Sequence, residues 1–282
     1  MPRYRGYMLR EWTRTDMATA LRVPTAADDK YSRGVVALRT GSADYPGAAV
    51  LGVEAAWRSG AGYVRYIGGA ADAVLARRPE TVAGADLGRT RIGAWVIGSG
   101  TDAAHRSDNE TDALQKILAG SVPVVVDAGA LDLVAEAAAP RLLTPHAGEL
   151  ARLCTRLGMN ADRLEADRAG IVSEVAEKLG ATVLLKGATT LIAAPGAQLI
   201  AVSNAPSWLA TAGTGDVLGG VLGALIAANP QHPIDETAAA GVWLHAHAAR
   251  LASGAVDGAP GHPIVALDVA EALPLAIAEL LA

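Results

Sequence analysis

Along this chain, short runs of β-branched and aliphatic residues alternate with longer stretches in which apolar positions recur every three or four residues. From residue 30 onward the pairs read "GVVALRT" then "YPGAAVLGVEAAWRSG", "YVRYIG" then "ADAVLARR", "GAWVIGSG" then "ETDALQKILAG", and "VPVVVDAG" then "ALDLVAEAAA". Each pair predicts a strand followed by a helix, and their succession predicts a parallel sheet with helices on both faces. The strands at 94–98, 123–127 and 183–186 are almost wholly apolar, as strands covered on two sides must be. After "RLLTPH" the apolar period predicts helices near 148–157 and 164–179. "TVLLKG", "TTLIAAP" and "AQLIAVS" are separated by Gly-Ala and Pro-Gly turn signals and predict three strands joined as hairpins. Helices near 215–228, 234–253 and 268–281 follow. Residues 1–29 lack periodicity and read as an irregular N-terminal arm, ahead of one α/β domain over 30–282.

In open α/β sheets, ligands bind beyond the carboxyl ends of the strands. Here those ends carry "GSGTD", "DAG", "TPHAGE" and "KGATT", so small, polar and ionisable residues gather at one edge.

Composition narrows the classes. Of 282 residues, 51% are hydrophobic and 19% charged, which supplies a sizeable core and excludes a disordered chain. A net charge of -5 leaves no cationic excess, so neither nucleic acid nor an anionic membrane is an expected partner. The first twenty residues are charged throughout and hold no secretory apolar core. The longest apolar run, 217–228, is shorter than the roughly 18 residues that span a bilayer. Cys154 is the only cysteine, which rules out an internal disulfide and fits a cytoplasmic location.

The most informative stretch is "NAPSWLATAGTGDVLGGVLGALIA", 204–227. Gly213, Thr214 and Gly215 turn the chain into a helix whose first N–H groups lack partners and whose dipole attracts anions. Asp216 is out of place as an anion ligand there. It suits a base that takes a proton from a hydroxyl lying beside a phosphoryl group held by those amides. An acid that merely stabilises a first helical turn is the other explanation of these residues.

"KYSRGVVALRTGSADYPGAAVLGVEAAWRSGAGYV", "VIGSGTD", "VVVDAGAL", "LLTPHAGELARL", "VLLKGATTLIAAP" and the Gly-Thr-Gly-Asp stretch occur in that order. Together they resemble the ADP-dependent NAD(P)H-hydrate dehydratases of the ribokinase-like superfamily. The resemblance implies a three-layer ribokinase-like sandwich with a mostly parallel central sheet. It implies dehydration of hydrated NADH or NADPH at the expense of ADP, with AMP and phosphate released: nicotinamide-nucleotide repair by a hydro-lyase. Phosphorylation of the ring hydroxyl would turn it into a leaving group, with Asp216 as base and the amides of Gly213, Thr214 and Gly215 stabilising the phosphoryl charge. By position, Lys186, Gly187, Ala188, Thr189, Thr190 and Gly215 match the adenine-nucleotide segment. Ala48, Gly100, His146 and Asp216 match the hydrate pocket. ADP and Mg²⁺ are the implied co-substrate and cofactor; Asp127 and Glu149 lie where related kinases hold Mg²⁺ through water, although helix-start electrostatics explains both acids without a metal. The resemblance also implies a homotetramer and a functional pairing with a separate NAD(P)HX epimerase, a domain that residues 1–29 are too short to encode.

Arg39-Thr40 stands where the family has Gly-Gly, Ser99 where it has Pro, and Tyr31 where His is frequent. Two other functions use the same residues: an ATP-dependent kinase of a small alcohol such as a vitamin precursor, which would leave a stable phosphorylated product, and a non-catalytic adenylate-binding module, indifferent to Asp216→Asn.

Overall fold

The computed structural model describes residues 3–4, 7–256 and 258–282. Its strands are β1 (Arg3–Tyr4), β2 (Tyr7–Glu11), β3 (Val35–Arg39), β4 (Tyr63–Tyr66), β5 (Val82–Ala83), β6 (Ala94–Ile97), β7 (Val124–Val126), β8 (Arg141–Leu143), β9 (Thr182–Leu185), β10 (Thr190–Ala193) and β11 (Leu199–Val202). They form one sheet in the order β1-β2-β11-β10-β9-β8-β7-β6-β3-β4-β5. From β5 to β9 every neighbouring pair is parallel, with registers such as Trp95↔Val124 and Val125↔Leu142. β9, β10 and β11 are joined antiparallel, as the hairpin signals predict.

The helices are α1 (Pro46–Arg58), α2 (Ala71–Arg77), α3 (Asp108–Leu118), α4 (Ala147–Arg156), α5 (Arg163–Ala166), α6 (Arg168–Leu179), α7 (Thr214–Ala228), α8 (Ile234–Ser253) and α9 (Ala266–Leu281). They lie on both faces, and the strands' period of two sorts the side chains between them. Val36, Leu38, Val96, Val125 and Leu184 join α1, α7, α8 and α9 in one core. Ala37, Trp95, Ile97, Val124, Val126 and Val183 join α3, α4 and α6 in the other. The expected α/β architecture, helices on both faces of a mostly parallel sheet, is the one observed. Small residues let α7 sit close: a Cβ on Gly220 would come within 2.1 Å of the Gly52 carbonyl oxygen on α1.

The structure departs from the sequence expectation at the short strands β1 and β5, which the sequence pattern does not predict, and in three larger features. Within the stretch read as irregular, residues 7–11 form β2, parallel to β11, and Arg14–Thr19 is a 3₁₀ helix. Leu9, Trp12 and Met17 are buried there; the pairing partner lies far off in sequence, so local periodicity carried no sign of it. Residues 1, 2, 5 and 6 of that arm lie outside the described residues. The helix expected after β7 is a 3₁₀ helix over Ala128–Glu136. Its rise of about 2.0 Å per residue, against about 1.5 Å in an α-helix, carries a short segment further across the sheet edge toward β8. The helix expected at 164–179 is broken at Asp167, whose carboxylate caps α6 by accepting from the Gly170 N–H at 2.9 Å.

Candidate active site

α7 begins at the carboxyl edge of the sheet. Gly213 opens it at φ +87°, a left-handed conformation that glycine adopts without penalty. A Cβ there would lie 2.7 Å from Leu51 Cδ1 and 3.0 Å from Ala266 Cβ. The Thr214 hydroxyl donates to the carbonyls of Thr211 and Leu209 at 2.9 and 3.2 Å and so locks the turn. The first helical bond runs from the Val217 N–H to the Gly213 carbonyl at 3.2 Å, which leaves the N–H groups before it without intrahelical partners.

Asp216 is half-buried in this first turn. Its Oδ1 accepts a hydrogen bond from the Ser99 hydroxyl at the end of β6. Burial pushes the carboxyl above its ordinary range; the Ser99 bond opposes that push, the nearby Asp127 charge adds to it, and Lys186 opposes it. The result is a carboxylate with one oxygen anchored, the other free, and a basicity greater than an exposed aspartate's. Removing the anchor raises its pKa further. Ser99→Ala is therefore expected to move the acid limb of the rate profile to higher pH, with Ser99→Thr keeping the original limb; pH profiles of kcat/KM for the three proteins check this.

On one side of Asp216 a cleft of about 480 Å³ is lined by Lys186, Gly187, Ala188, Thr190 and Gly215. Five of the six positions assigned to nucleotide binding thus share one cavity; Thr189 is not among its lining residues. The Lys186 ammonium lies 2.8 Å from Asp127 Oδ1 and 3.9 Å from Glu149 Oε2. A Cβ on Gly215 would be 3.6 Å from that ammonium, so the lysine borders the positive end of α7. The opposite wall comprises Ala205, Pro206, Ser207 and Leu209 with His245, none of which the sequence singled out individually. His245 lies on α8, where one histidine in an apolar helix carries no distinguishing signal.

Its Nε2 has no partner among the described residues, and burial, against a hydrogen bond to the Thr214 backbone, pushes it down to about 4. The unfolded chain protonates this histidine near pH 6.5, whereas the folded chain holds it neutral until about pH 4. Its contribution to stability is complete above pH 6.5 and is lost as the pH falls toward 4, by about 3 kcal/mol. Urea unfolding at pH 7 and pH 4.5 is expected to show this slope, and His245→Asn to flatten it.

Beside Ser99, Ala48 and Gly100 meet: a Cβ on Gly100 would reach 2.5 Å from Ala48 Cβ. The Gly41 N–H donates to the Ser99 carbonyl at 2.7 Å and holds the two loops together. His146, assigned with Ala48 and Gly100, lines the same cleft as Lys186 and Gly215. Its Nδ1 caps α4, accepting from the N–H groups of Gly148 and Glu149 at 3.0 and 3.4 Å, while Glu149 Oε2 accepts from the His146 N–H at 2.8 Å.

Of the departures from the family pattern, Ser99 holds Asp216, and the buried Thr40 hydroxyl has no hydrogen-bond partner among the described residues. Arg39 pairs with Glu110 on α3 at 2.9 and 2.6 Å, the Thr40 carbonyl accepts from the Tyr66 hydroxyl at 2.7 Å, and exposed Tyr31 stacks edge-on against Tyr63. No group of three or more His, Cys, Asp or Glu gathers among the described residues, and Asp127 and Glu149 are engaged by Lys186. The side chains form no metal cage of their own. Mg²⁺ at such a site depends on nucleotide phosphates and water for most of its coordination.

Residues 36–258 match the family model described as NAD(P)H-hydrate dehydratase. Over 255 residues the chain is 43% identical to the bifunctional NAD(P)H-hydrate repair enzyme Nnr of Mycobacterium leprae, covering 87% of this chain and 51% of that protein. Over 263 residues it is 38% identical to the ADP-dependent (S)-NAD(P)H-hydrate dehydratase of Neisseria meningitidis serogroup B, covering 85% and 86%. The crystal structure of the ADP/ATP-dependent NAD(P)H-hydrate dehydratase of Bacillus subtilis, co-crystallized with ATP/Mg²⁺, superposes with a TM-score of 0.83 at 26% identity, covering 96% of this chain and 99% of the other. The chain spans about half the length of the bifunctional relatives it matches.

Proposed function

The chain belongs to the NAD(P)H-hydrate dehydratase family, and on that footing we propose that it restores NADH and NADPH from their hydrates, consuming ADP and releasing AMP and phosphate. One observation carries the proposal: Asp216, in the first turn of α7, directly follows Gly215 of the Lys186–Gly187 cleft, and one of its carboxylate oxygens is held by Ser99, the neighbour of the Gly100 that packs on Ala48.

With ADP in the cleft, its terminal phosphoryl meets the free N–H groups at the start of α7. The free oxygen of Asp216 takes the proton of the hydrate's ring hydroxyl. The hydroxyl oxygen then bonds to the terminal phosphorus, the bond from phosphorus to the bridging oxygen breaks, and AMP leaves with that electron pair. The Gly215 amide and the Lys186 ammonium counter the charge that builds on the transferring group. The ring carbon–oxygen bond then breaks, pushed by the ring nitrogen's lone pair, and phosphate leaves with the electrons. Loss of a proton from the adjacent carbon restores the dihydropyridine. Mg²⁺ bound by the nucleotide's phosphates would neutralise part of their charge.

We propose that it works in the cytoplasm as a homotetramer, together with an NAD(P)HX epimerase activity. Among the described residues, no helix is long and apolar enough to cross a membrane. The decisive assay incubates chemically prepared hydrate with the protein, ADP and Mg²⁺, with ATP in a parallel arm. Return of the dihydronicotinamide absorbance is expected; folded protein that gives no signal with either nucleotide overturns the proposal.

A further inference from the structure

A second cavity, of about 410 Å³, opens beyond the ends of β6 and β7. Thr101, Ala128, Glu149, Arg152 and Arg156 are among its lining residues. Two stretches of chain lead into it from the reaction site. Ser99, bonded to Asp216, is two residues from Thr101; Asp127, paired with Lys186, immediately precedes Ala128. The Glu149 side chain, within 3.9 Å of Lys186, stands between this cavity and the nucleotide cleft.

The charged residues that line the cavity are unevenly partnered. Asp132 is held by two guanidinium nitrogens of Arg106, at 3.0 and 2.7 Å; Asp102 bonds to His105 at 2.7 Å and the Ala104 N–H, contacts that keep it ionised, so its charge stays at the exposed rim. Glu149 accepts from the His146 backbone and faces Lys186. Arg152 has no hydrogen-bond or ion-pair partner among the described residues, and Arg156 reaches only to 4.0 Å from the already paired Asp132. These two guanidiniums stand one turn apart on α4, as an i, i+4 pair does, so they present adjacent donor forks to a single ligand. Ala128, which lines the cavity, is the one non-glycine with positive φ among the described residues, at +45°. Strain of that kind costs about 1–3 kcal/mol and concentrates where a loop is shaped for a ligand.

We infer that this cavity receives the pyrophosphate-bearing adenylate arm of the hydrated dinucleotide, gripped by Arg152 and Arg156, while the damaged ring lies against Asp216. The inference rests on the proposed dehydratase function for the identity of the ring, but the grip itself is a property of any dinucleotide of this shape. The volume suits a nucleotide-sized group, and bidentate arginine is the usual donor to phosphate oxygens. ADP occupies the other cleft, so the two phosphate-bearing ligands are kept apart by the Asp127–Lys186–Glu149 cluster.

The test compares the unaltered protein with Arg152→Ala/Arg156→Ala. Both side chains are exposed, so the variant is expected to fold, and an unchanged unfolding midpoint checks it. Equilibrium binding of NADPH and NADH, measured by fluorescence without turnover, should weaken about tenfold or more in the variant, and binding of reduced nicotinamide mononucleotide, which lacks the adenylate arm, should not change. ADP affinity should also hold. Equal losses for the dinucleotides and the mononucleotide, an effect on ADP alone, or no change in dinucleotide binding would each overturn the inference. Because binding needs no reaction, these outcomes are separate from any failure of the dehydration assay.

Discussion

Asp216→Asn is expected to lower kcat by about a thousandfold while leaving ADP affinity within a fewfold of the original. Asparagine keeps the shape and can still bond to Ser99, but it cannot accept the hydroxyl proton when the oxygen attacks phosphorus. The nucleotide cleft and the amides of α7 are untouched, so the loss falls on turnover. The unaltered protein should lose activity on the acid side with an apparent pKa above the ordinary aspartate value of 3.8, because burial raises the carboxyl and only its ionised form is a base. Single-turnover kinetics separate the chemical step from binding, and retention of more than a tenth of kcat in the variant would remove Asp216 from the role of base.

Gly213→Ala is expected to lower kcat by about a hundredfold and stability by about 1–2 kcal/mol. At φ +87° an L-residue is strained, and its Cβ would press Leu51 and Ala266 at 2.7 and 3.0 Å. The Leu51 methyl can swing aside; the Ala266 Cβ can move only with the start of α9. The turn must therefore shift, carrying the Gly215 amide away from the transferring phosphoryl. Gly196→Ala is the control: that residue has φ +67° with nothing within 4 Å of the added atom, so it should lose stability and keep its rate.

The layered sheet was legible because its signals are local. Apolar runs such as Val124–Val126, turn residues between β9, β10 and β11, and the small-residue face of α7 each report on themselves. β2 was not legible, since pairing with β11 depends on a partner nearly the whole chain away. The start of α7 and its acid were legible for the same reason as the sheet. What the sequence could not show was how the other parts converge on them. Ser99 and Asp216 are separated by 117 positions, and Lys186 and Asp127 by 59, yet each pair is in hydrogen-bond contact. His146 shows the converse: its cap on α4 follows from its local sequence, whereas its place on the nucleotide-side cleft follows from the packing of β8 beside β9.

In the proposed reaction a phosphoryl group passes to the ring oxygen, assisted by Asp216. Hydrate prepared with ¹⁸O in its ring hydroxyl, converted in a single turnover with ADP, tests that step by mass analysis of the released inorganic phosphate. One ¹⁸O atom in each phosphate is the predicted result. Label recovered in water, with unlabelled phosphate, would contradict it.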